Sequence, residues 1–383
     1  MAFRTAVLAL LLVTSAVGAA AAPAATQEAE GEAYSGAFVE FDATGAAVSD
    51  YAVDGTVVVE NVSMQSASEA EGGLGAGLSS VTSVDAAGLS VDSRTSGATV
   101  TSESGAQLEA SDNRRGVVQV RANGESQVVH AGVDGEARSE GDDRVVVSGN
   151  DGTQGTFLVV GDGEATVNEE GDVVARVDGD GQLVYRQYNE ERSEEDEEQE
   201  RMIQDGTATA EVYVHSAAES GSESGGEAET EGTSVVEYGQ DTDVEVQERS
   251  ESRINMTAER TERQGKVIIT TVSDETFGSA DDTEVFVDGE AAAEADSYGE
   301  VRQATRDGDN SRYLVRQSSS AEASSDVVIG VNHFSERQLS MRSDGNSTDS
   351  GDGGLSDADG PGFGALAAIA ALGGALVALR RRG

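Results

Sequence analysis

The chain has 383 residues, with 72 acids against 25 bases, a formal charge of -47 and no cysteine. It has no basic patch to neutralise phosphates, which argues against nucleic acid as a partner. The missing cysteines exclude disulfides and an N-terminal lipid carried on cysteine. A charge this large costs self-repulsion in dilute buffer, whereas molar salt shortens the screening length to about 3 Å and removes most of that cost. Lys266 is the single lysine beside 24 arginines. Arginine keeps its forked carboxylate pairs in salt, so the balance reads as adaptation to a high-salt solvent. An acidic disordered chain or a cation binder is the alternative, but here the acids are spread through strand-like segments.

Residues 1–24 hold one charged side chain, Arg4, an apolar stretch from Ala6 to Val17, and small residues after it. That pattern is a secretory signal peptide with a terminal signal helix, and a retained anchor is the weaker alternative. From residue 35 the chain reads as mainly β. Valine-rich runs such as Thr56–Glu60, Gly116–Val120, Arg144–Val147 and Thr156–Val160 are strand-length. Others, Ala106–Ala110 and Asp243–Gln247, alternate apolar with polar residues, as a half-wet strand does. Asp-Gly pairs at Asp54, Asp134, Asp151, Asp162, Asp178, Asp205, Asp288 and Asp307 mark the expected corners of antiparallel strands. The only prolines, Pro23 and Pro361, lie outside this region.

A repeat is expected within it. Asp162-Gly163-Glu164-Ala165 recurs as Asp288-Gly289-Glu290-Ala291, Asp178-Gly179-Asp180 as Asp307-Gly308-Asp309, and Arg186-Gln187 as Arg316-Gln317. The spacing suggests a tandem duplication of antiparallel, sandwich-like units, 83–219 and 220–341, preceded by a strand-rich segment at 35–82. The run 189–203 carries eight acids and two arginines, with Glu197 four residues before Arg201. It reads as a short exposed helix inserted in the first unit and serving as a solvated linker.

Catalytic patterns are hard to find. His130, His215 and His333 share no metal-ligand spacing, and no nucleophile elbow, phosphate loop or zinc helix is present. We therefore expect no enzyme, no cofactor and no metal. Asp178-Gly179-Asp180-Gly181 and Asp307-Gly308-Asp309-Asn310 resemble part of a calcium loop, but the twelfth position is Asn189 or Ser318 rather than glutamate. Aromatic residues make up 4% of the chain and tryptophan is absent, so a stacking platform for sugars is not expected. Three sequons, at Asn61, Asn255 and Asn346, are candidate glycosylation sites.

The C-terminal residues are the most specific. Residues 342–360 form an acidic Ser/Asp/Gly spacer that cannot bury a core and is expected to be disordered. Pro361-Gly362-Phe363 then opens an uncharged run to Leu379, closed by Arg380, Arg381 and Arg382. Eighteen helical residues span about 27 Å, the short limit for a bilayer core, and terminal arginines stop such a helix on the inner side. This segment, 361–383, resembles the PGF-CTERM sorting signal of haloarchaeal surface proteins. The resemblance covers about 40 residues and is silent on the rest. It implies that an archaeosortase-type enzyme cleaves near the tripeptide and that a lipid then anchors the new terminus, with a plain single-pass anchor as the alternative. The expected protein is therefore an exported, membrane-anchored, lipidated glycoprotein of a halophile's cell surface. Its expected role is structural or adhesive, alongside other envelope proteins such as a surface layer. An ion- or ligand-binding module, using calcium at the Asp-Gly turns, is the second reading.

Overall fold

A computed structural model describes residues 32–45, 47–70, 77–84, 88–215, 232–250, 252–273, 277, 282–317 and 324–343. The signal segment, the tail from 344 onward, and with it Asn346, Pro361, Gly362, Phe363 and Arg380–Arg382, lie outside the described residues. The described chain is mainly β. Four strands open it: β1 (Glu32–Ser35), β2 (Val39–Thr44), β3 (Ala47–Val53) and β4 (Thr56–Ser66). A turn of helix, α1 (Ala67–Ala70), leads to β5 (Leu89–Arg94), β6 (Gly97–Ser102), β7 (Gln107–Ser111) and β8 (Val118–Arg121). Next come β9 (Gln127–Gly132), β10 (Gly135–Ser139), β11 (Arg144–Gly149) and β12 (Gln154–Val160). The hairpin of β13 (Gly163–Val167) and β14 (Val173–Val177) precedes β15 (Gln182–Tyr188) and helix α2 (Glu194–Gln204).

After α2 the chain forms β16 (Ala208–Val214), β17 (Thr233–Glu237), β18 (Thr242–Ser250), β19 (Arg253–Arg260) and β20 (Gln264–Ser273). Short strands β21 (Thr283–Val287), β22 (Glu290–Ala291) and β23 (Ala293–Glu294) lead into helix α3 (Tyr298–Asp307). Strands β24 (Arg312–Gln317), β25 (Ser324–His333) and β26 (Glu336–Ser343) finish the described part.

The strands assemble into four sheets. Sheet I runs β1-β2-β3-β4-β9-β14-β13 and sheet II runs β10-β11-β12-β15-β8-β7-β6-β5. Their inner faces share one apolar core, with Tyr51, Met64, Val129 and Val173 from sheet I against Leu108, Val120, Val145 and Leu183 from sheet II. Sheet III, β17-β16-β20-β25-β24-β23, and sheet IV, β18-β19-β26-β21-β22, enclose a second core around Val212, Ile268, Met256 and Met341. The strand pairs are antiparallel except β16 with β20 and β23 with β24.

A third core joins the outward faces of sheets II and III. Leu158, Val160 and Val184 of sheet II meet Tyr213, Val267, Ile269 and Val328 of sheet III, with Met202 and Ile203 of α2 and Val301 of α3 between them. The layers are therefore I, II, III and IV, and the central strands of the two middle sheets are covered on both faces. Their strands carry that signature: β15 and β16 are buried at every position. Strands of the outer sheets instead alternate, β2 as buried-exposed along its length and β18 likewise over its first six residues. A continuous apolar run marks a strand with two covered faces, and alternation marks one wet face. Helix α3 lies close on β25 because Gly330 has no side chain; a Cβ there would stand 2.6 Å from the Val301 carbonyl oxygen.

Four sequence expectations change. The segment 35–82 is not a separate piece: β1–β4 are hydrogen-bonded into sheet I, and β4 pairs with β9. The boundary placed at 219/220 moves to α2, because β16 pairs with β17 and with β20 of the second sandwich. The matched repeats occupy different places. Asp162-Gly163 carries the chain from sheet II to sheet I, whereas Asp288-Gly289 is the hairpin between β21 and β22. Asp178-Gly179 joins β14 to β15, but Asp307 ends α3. Turn chemistry recurs at chain corners whatever the topology, and that produced the matches. Arg342 and Ser343, assigned to the spacer, close β26 opposite Arg253 and Thr283.

The Asp-Gly corners divide into kinds. Asp54-Gly55 and Asp288-Gly289 have positive φ at both residues and close two-residue hairpins, the conformation the tightest antiparallel turn requires. Gly206 takes a positive φ just past the end of α2, where it stops the helix.

Candidate functional site

Two features stand out in the described residues: an ionic network buried where the sandwiches meet, and a polar cleft beside it. The network begins with Arg186 of β15, which has no exposed surface. Its Nη2 donates to Glu211 Oε1 of β16 at 2.6 Å and to Gln199 Oε1 of α2 at 3.3 Å. The other Glu211 oxygen accepts from the Tyr213 and Tyr238 hydroxyls at 2.6 and 2.7 Å. Gln199 in turn donates to Asp326 Oδ2 at 2.8 Å, and Thr271 donates to Asp326 Oδ1 at 2.7 Å. Arg115, before β8, spans Asp326 at 3.1 Å and Asp196 at 3.4 Å. Glu200 of α2 accepts from the Tyr188 hydroxyl at 2.8 Å and faces Arg192 and Arg144 at 3.3 and 3.6 Å.

The division of labour is by element. The first sandwich contributes Arg115, Arg144 and Arg186, the second contributes Glu211 and Asp326, and α2 lies between them with Asp196, Gln199 and Glu200. Buried charge survives only when paired and hydrogen-bonded, and here each carboxylate meets a guanidinium. Burial works against the charge on Arg186, yet Glu211 holds its pKa well above the ordinary arginine value. Burial first and Glu211 second push the Tyr213 and Tyr238 hydroxyls well above the usual tyrosine range. Burial likewise raises Tyr298, to about 12. Tyr213 and Tyr238 thus stay protonated as fixed donors to Glu211, whereas the Tyr298 hydroxyl accepts from the Gln199 amide.

Helix α2 corrects the sequence reading of 189–203 as an exposed linker. It is helical, with Ser193 and Asp196 forming a reciprocal cap and Glu197 bonded to Arg201 at 2.9 Å. Its other face, however, buries Asp196, Gln199, Glu200, Met202 and Ile203. Eight acids in one stretch disguised this, because the two that turn inward meet Arg115 and Arg144, which lie far off in sequence. The signal that could have exposed the network is a charge inside an apolar strand run, as in Ala-Glu211-Val-Tyr-Val and Ser-Asp326-Val-Val-Ile.

The polar cleft, about 530 Å³ in volume, lies where sheet II extends past the second sandwich. Its floor is the outer face of β6, β7 and β8, where Thr99, Glu109 and Gln119 form one cross-strand row and Gln107 and Arg121 a second. Its wall comes from β17 and the following turn, with Glu237, Gln240 and Thr242. Gln119 and Arg121 each donate to the Glu237 carbonyl oxygen, at 2.9 and 2.5 Å, and so tie floor to wall. Arg121 Nε is 3.2 Å from Glu109 Oε2. The Glu237 carboxylate accepts the Val244 N–H at 2.7 Å. Burial nonetheless raises its pKa above the ordinary glutamate value, with Asp243 and Glu109 adding to the effect.

The remaining candidate residues lie apart. His130 is buried on the outward face of sheet I, its Nε2 3.2 Å from Asp172 Oδ2. His215 packs its ring against Phe38 at 4.5 Å and Tyr213 at 6.3 Å. His333 is exposed. His215 follows the β16 residue opposite Val272, whereas His333 pairs with Gln264, so the two mark opposite ends of β20. Among the described residues no group of three or more histidines and acids is placed to hold a metal ion. The Asp178 pKa is lowered first by a hydrogen bond with Ser126 and then by Arg176 at 3.0 Å. Asn61 lies within β4, and Asn255 within β19, where its amide donates to Glu248 at 2.7 Å and its oxygen accepts from Ser340. No described helix is long and apolar enough to cross a membrane. Comparison with known protein families and with characterised proteins finds no match to this chain.

Proposed function

We propose that the chain is an exported surface protein of a high-salt cell, anchored to the membrane by its C-terminus, with a structural or adhesive role in the envelope. The observation that carries this reading is the placing of charge. Among the described residues only Asp112, Asp196, Glu200, Glu211 and Asp326 are buried carboxylates. Four of them meet arginines in the seam, and Asp112 accepts the N–H groups of Ala37, Phe38 and Val39 at 2.7 to 2.9 Å. The remaining acids among the described residues are partly or fully exposed, where they repel one another unless salt screens them. The interior is thus built for permanence and the exterior for brine. The spacer, Pro361-Gly362-Phe363, the apolar run and Arg380–Arg382 supply the address, by their resemblance to an archaeosortase signal.

Two measurements test this. The melting temperature should rise steeply between 0.1 M and molar KCl, and a salt-independent value would remove the halophilic reading. Mass analysis of protein from native membranes should find a new C-terminus near Pro361 carrying a lipid, and Phe363→Ser should leave the tail uncleaved. Normal processing of that variant would reduce the resemblance to coincidence. The calcium version of the ligand-binding alternative finds no cluster of ligands in the described residues; millimolar calcium should leave the melting temperature in molar salt unchanged. The polar cleft favours the ligand version.

A further inference from the structure

We propose that the cleft between the two sandwiches binds an uncharged saccharide chain. This deepens the adhesive side of the role proposed above, and rests on that reading for its place outside the cell. The cleft arises because sheet II has eight strands and sheet III only six. Where the second sandwich covers sheet II, the covered face is apolar, with Leu158, Val160 and Val184. Beyond that edge the same face changes to side-chain amides and hydroxyls, while β17 and the turn after it still stand over it as a wall. At about 530 Å³ the space falls within the roughly 300–1,000 Å³ of ordinary ligand sites.

The chemistry of the lining selects the ligand. Gln119 and Thr242 are buried and spend their hydrogen bonds within the protein, whereas Gln107 and Gln240 each offer a donor and an acceptor, and the hydroxyl of Thr99 can do either. That is the complement of a ligand made of hydroxyl groups, which also donate and accept. Arg121 is turned on Glu109 and the Glu237 carbonyl and the Glu237 carboxylate on the Val244 N–H, while Arg94, largely exposed and 3.7 Å from Asp92, also lines the cleft. An anionic ligand would bring its charge against Glu109 and Glu237. A cationic one would compete with Arg121, and an apolar one would strand the amides unpaired. Gln119, only 2% exposed and bonded to both Gln182 and the Glu237 carbonyl, fixes the floor rigidly against the wall. The site therefore recognises through hydrogen bonds and bridging water rather than through aromatic stacking.

The test uses the full-length chain in molar KCl, probed with an array of neutral gluco-, manno- and galacto-oligosaccharides and of hexuronate-containing ones, followed by calorimetry. At least one neutral oligosaccharide should bind. Gln240→Ala combined with Gln107→Ala, both solvent-accessible positions, should weaken binding about tenfold or more while leaving circular dichroism and melting unchanged. Thr257→Ala, on the outer face of sheet IV, should leave binding as it was. Retention of no neutral saccharide at millimolar concentration overturns the proposal. So does binding that the cleft variants leave intact, or equal binding of the acidic oligosaccharides. Failure here and failure of the anchoring proposal separate cleanly, since tail processing is read at Phe363 and saccharide binding at Gln107 and Gln240.

Discussion

The two sandwich cores and the seam between them solve the same burial problem with opposite chemistry. The cores are aliphatic and aromatic, with Val, Ala, Met, Phe and Tyr filling the space between sheets. The seam combines an apolar layer with four arginines and four carboxylates. Apolar packing is non-directional and tolerates many arrangements of two surfaces. Paired charges tolerate few, because a shift of one sheet by a residue would leave a buried charge alone. The comparison teaches that the sandwiches obtain their stability from area, whereas the way they join is specified by charge.

Breaking the seam should have the largest effect. Arg186→Met leaves Glu211 buried beside two tyrosine hydroxyls and should lower stability by about 3–5 kcal/mol in chemical unfolding. Adding Glu211→Gln should recover more than half of that loss, since the stranded charge is gone and an acceptor for Tyr213 or Tyr238 remains. If the double variant is no better than the single, pairing is not what the seam requires.

Asp112→Ala tests a buried acid with no role between the sandwiches. It strands three backbone N–H groups in the turn between β1 and β2, and should cost about 1–3 kcal/mol. Ile268→Val trims the second sandwich core by one methyl, for an expected loss of about 0.5–1.5 kcal/mol. Ser193→Ala removes the cap of α2 and should cost about 1 kcal/mol. A loss much larger than that would mean the cap also positions Asp196 and Glu200 for the seam.

Glu237→Gln should have the smallest effect, with a sign that depends on pH. Burial raises the folded-state pKa of Glu237 above its ordinary 4.5. The protonated carboxyl therefore favours folding below about pH 4.5, and that contribution is lost as pH rises through the raised value. Glutamine keeps the acceptor for the Val244 N–H without the charge. The variant should match the parent at pH 3.5 and gain up to about 0.5 kcal/mol at pH 7. Destabilisation at pH 7 would show that the carboxylate is held for another purpose.

Much of the fold is legible in the strands themselves. The alternation of Asp243–Gln247 and the unbroken apolar run Phe157–Val160 already distinguish a one-sided strand from a two-sided one, because side-chain period and coverage are local properties of a pleated strand. Asp54-Gly55 and Asp288-Gly289 are legible as hairpins for the same reason. The duplication misled because turn residues repeat wherever a strand ends. Helix α2 was legible as a helix but not as a buried one, since the partners of Asp196 and Glu200 are Arg115, Arg144 and Arg192, and the first two lie far off in sequence and are brought near only by folding. The cleft was invisible: Gln107, Arg121 and Gln240 are ordinary polar residues until two sheets of unequal width are stacked.

What the sequence determined by itself is the chemistry that acts locally or through the solvent. It sets a mainly β chain with its corner residues, an excess of 72 acids over 25 bases, and an uncharged C-terminal run closed by three arginines, from which the proposals of salt dependence and of sorting start. Only the tertiary structure decided which acids of the 72 become interior partners, where one sandwich ends and the other begins, and that a polar ledge survives beside their junction. Those depend on contacts between residues as far apart as Arg115 and Asp326. No local pattern encodes such contacts, because the free energy that selects them exists only once the sheets are stacked and water is gone.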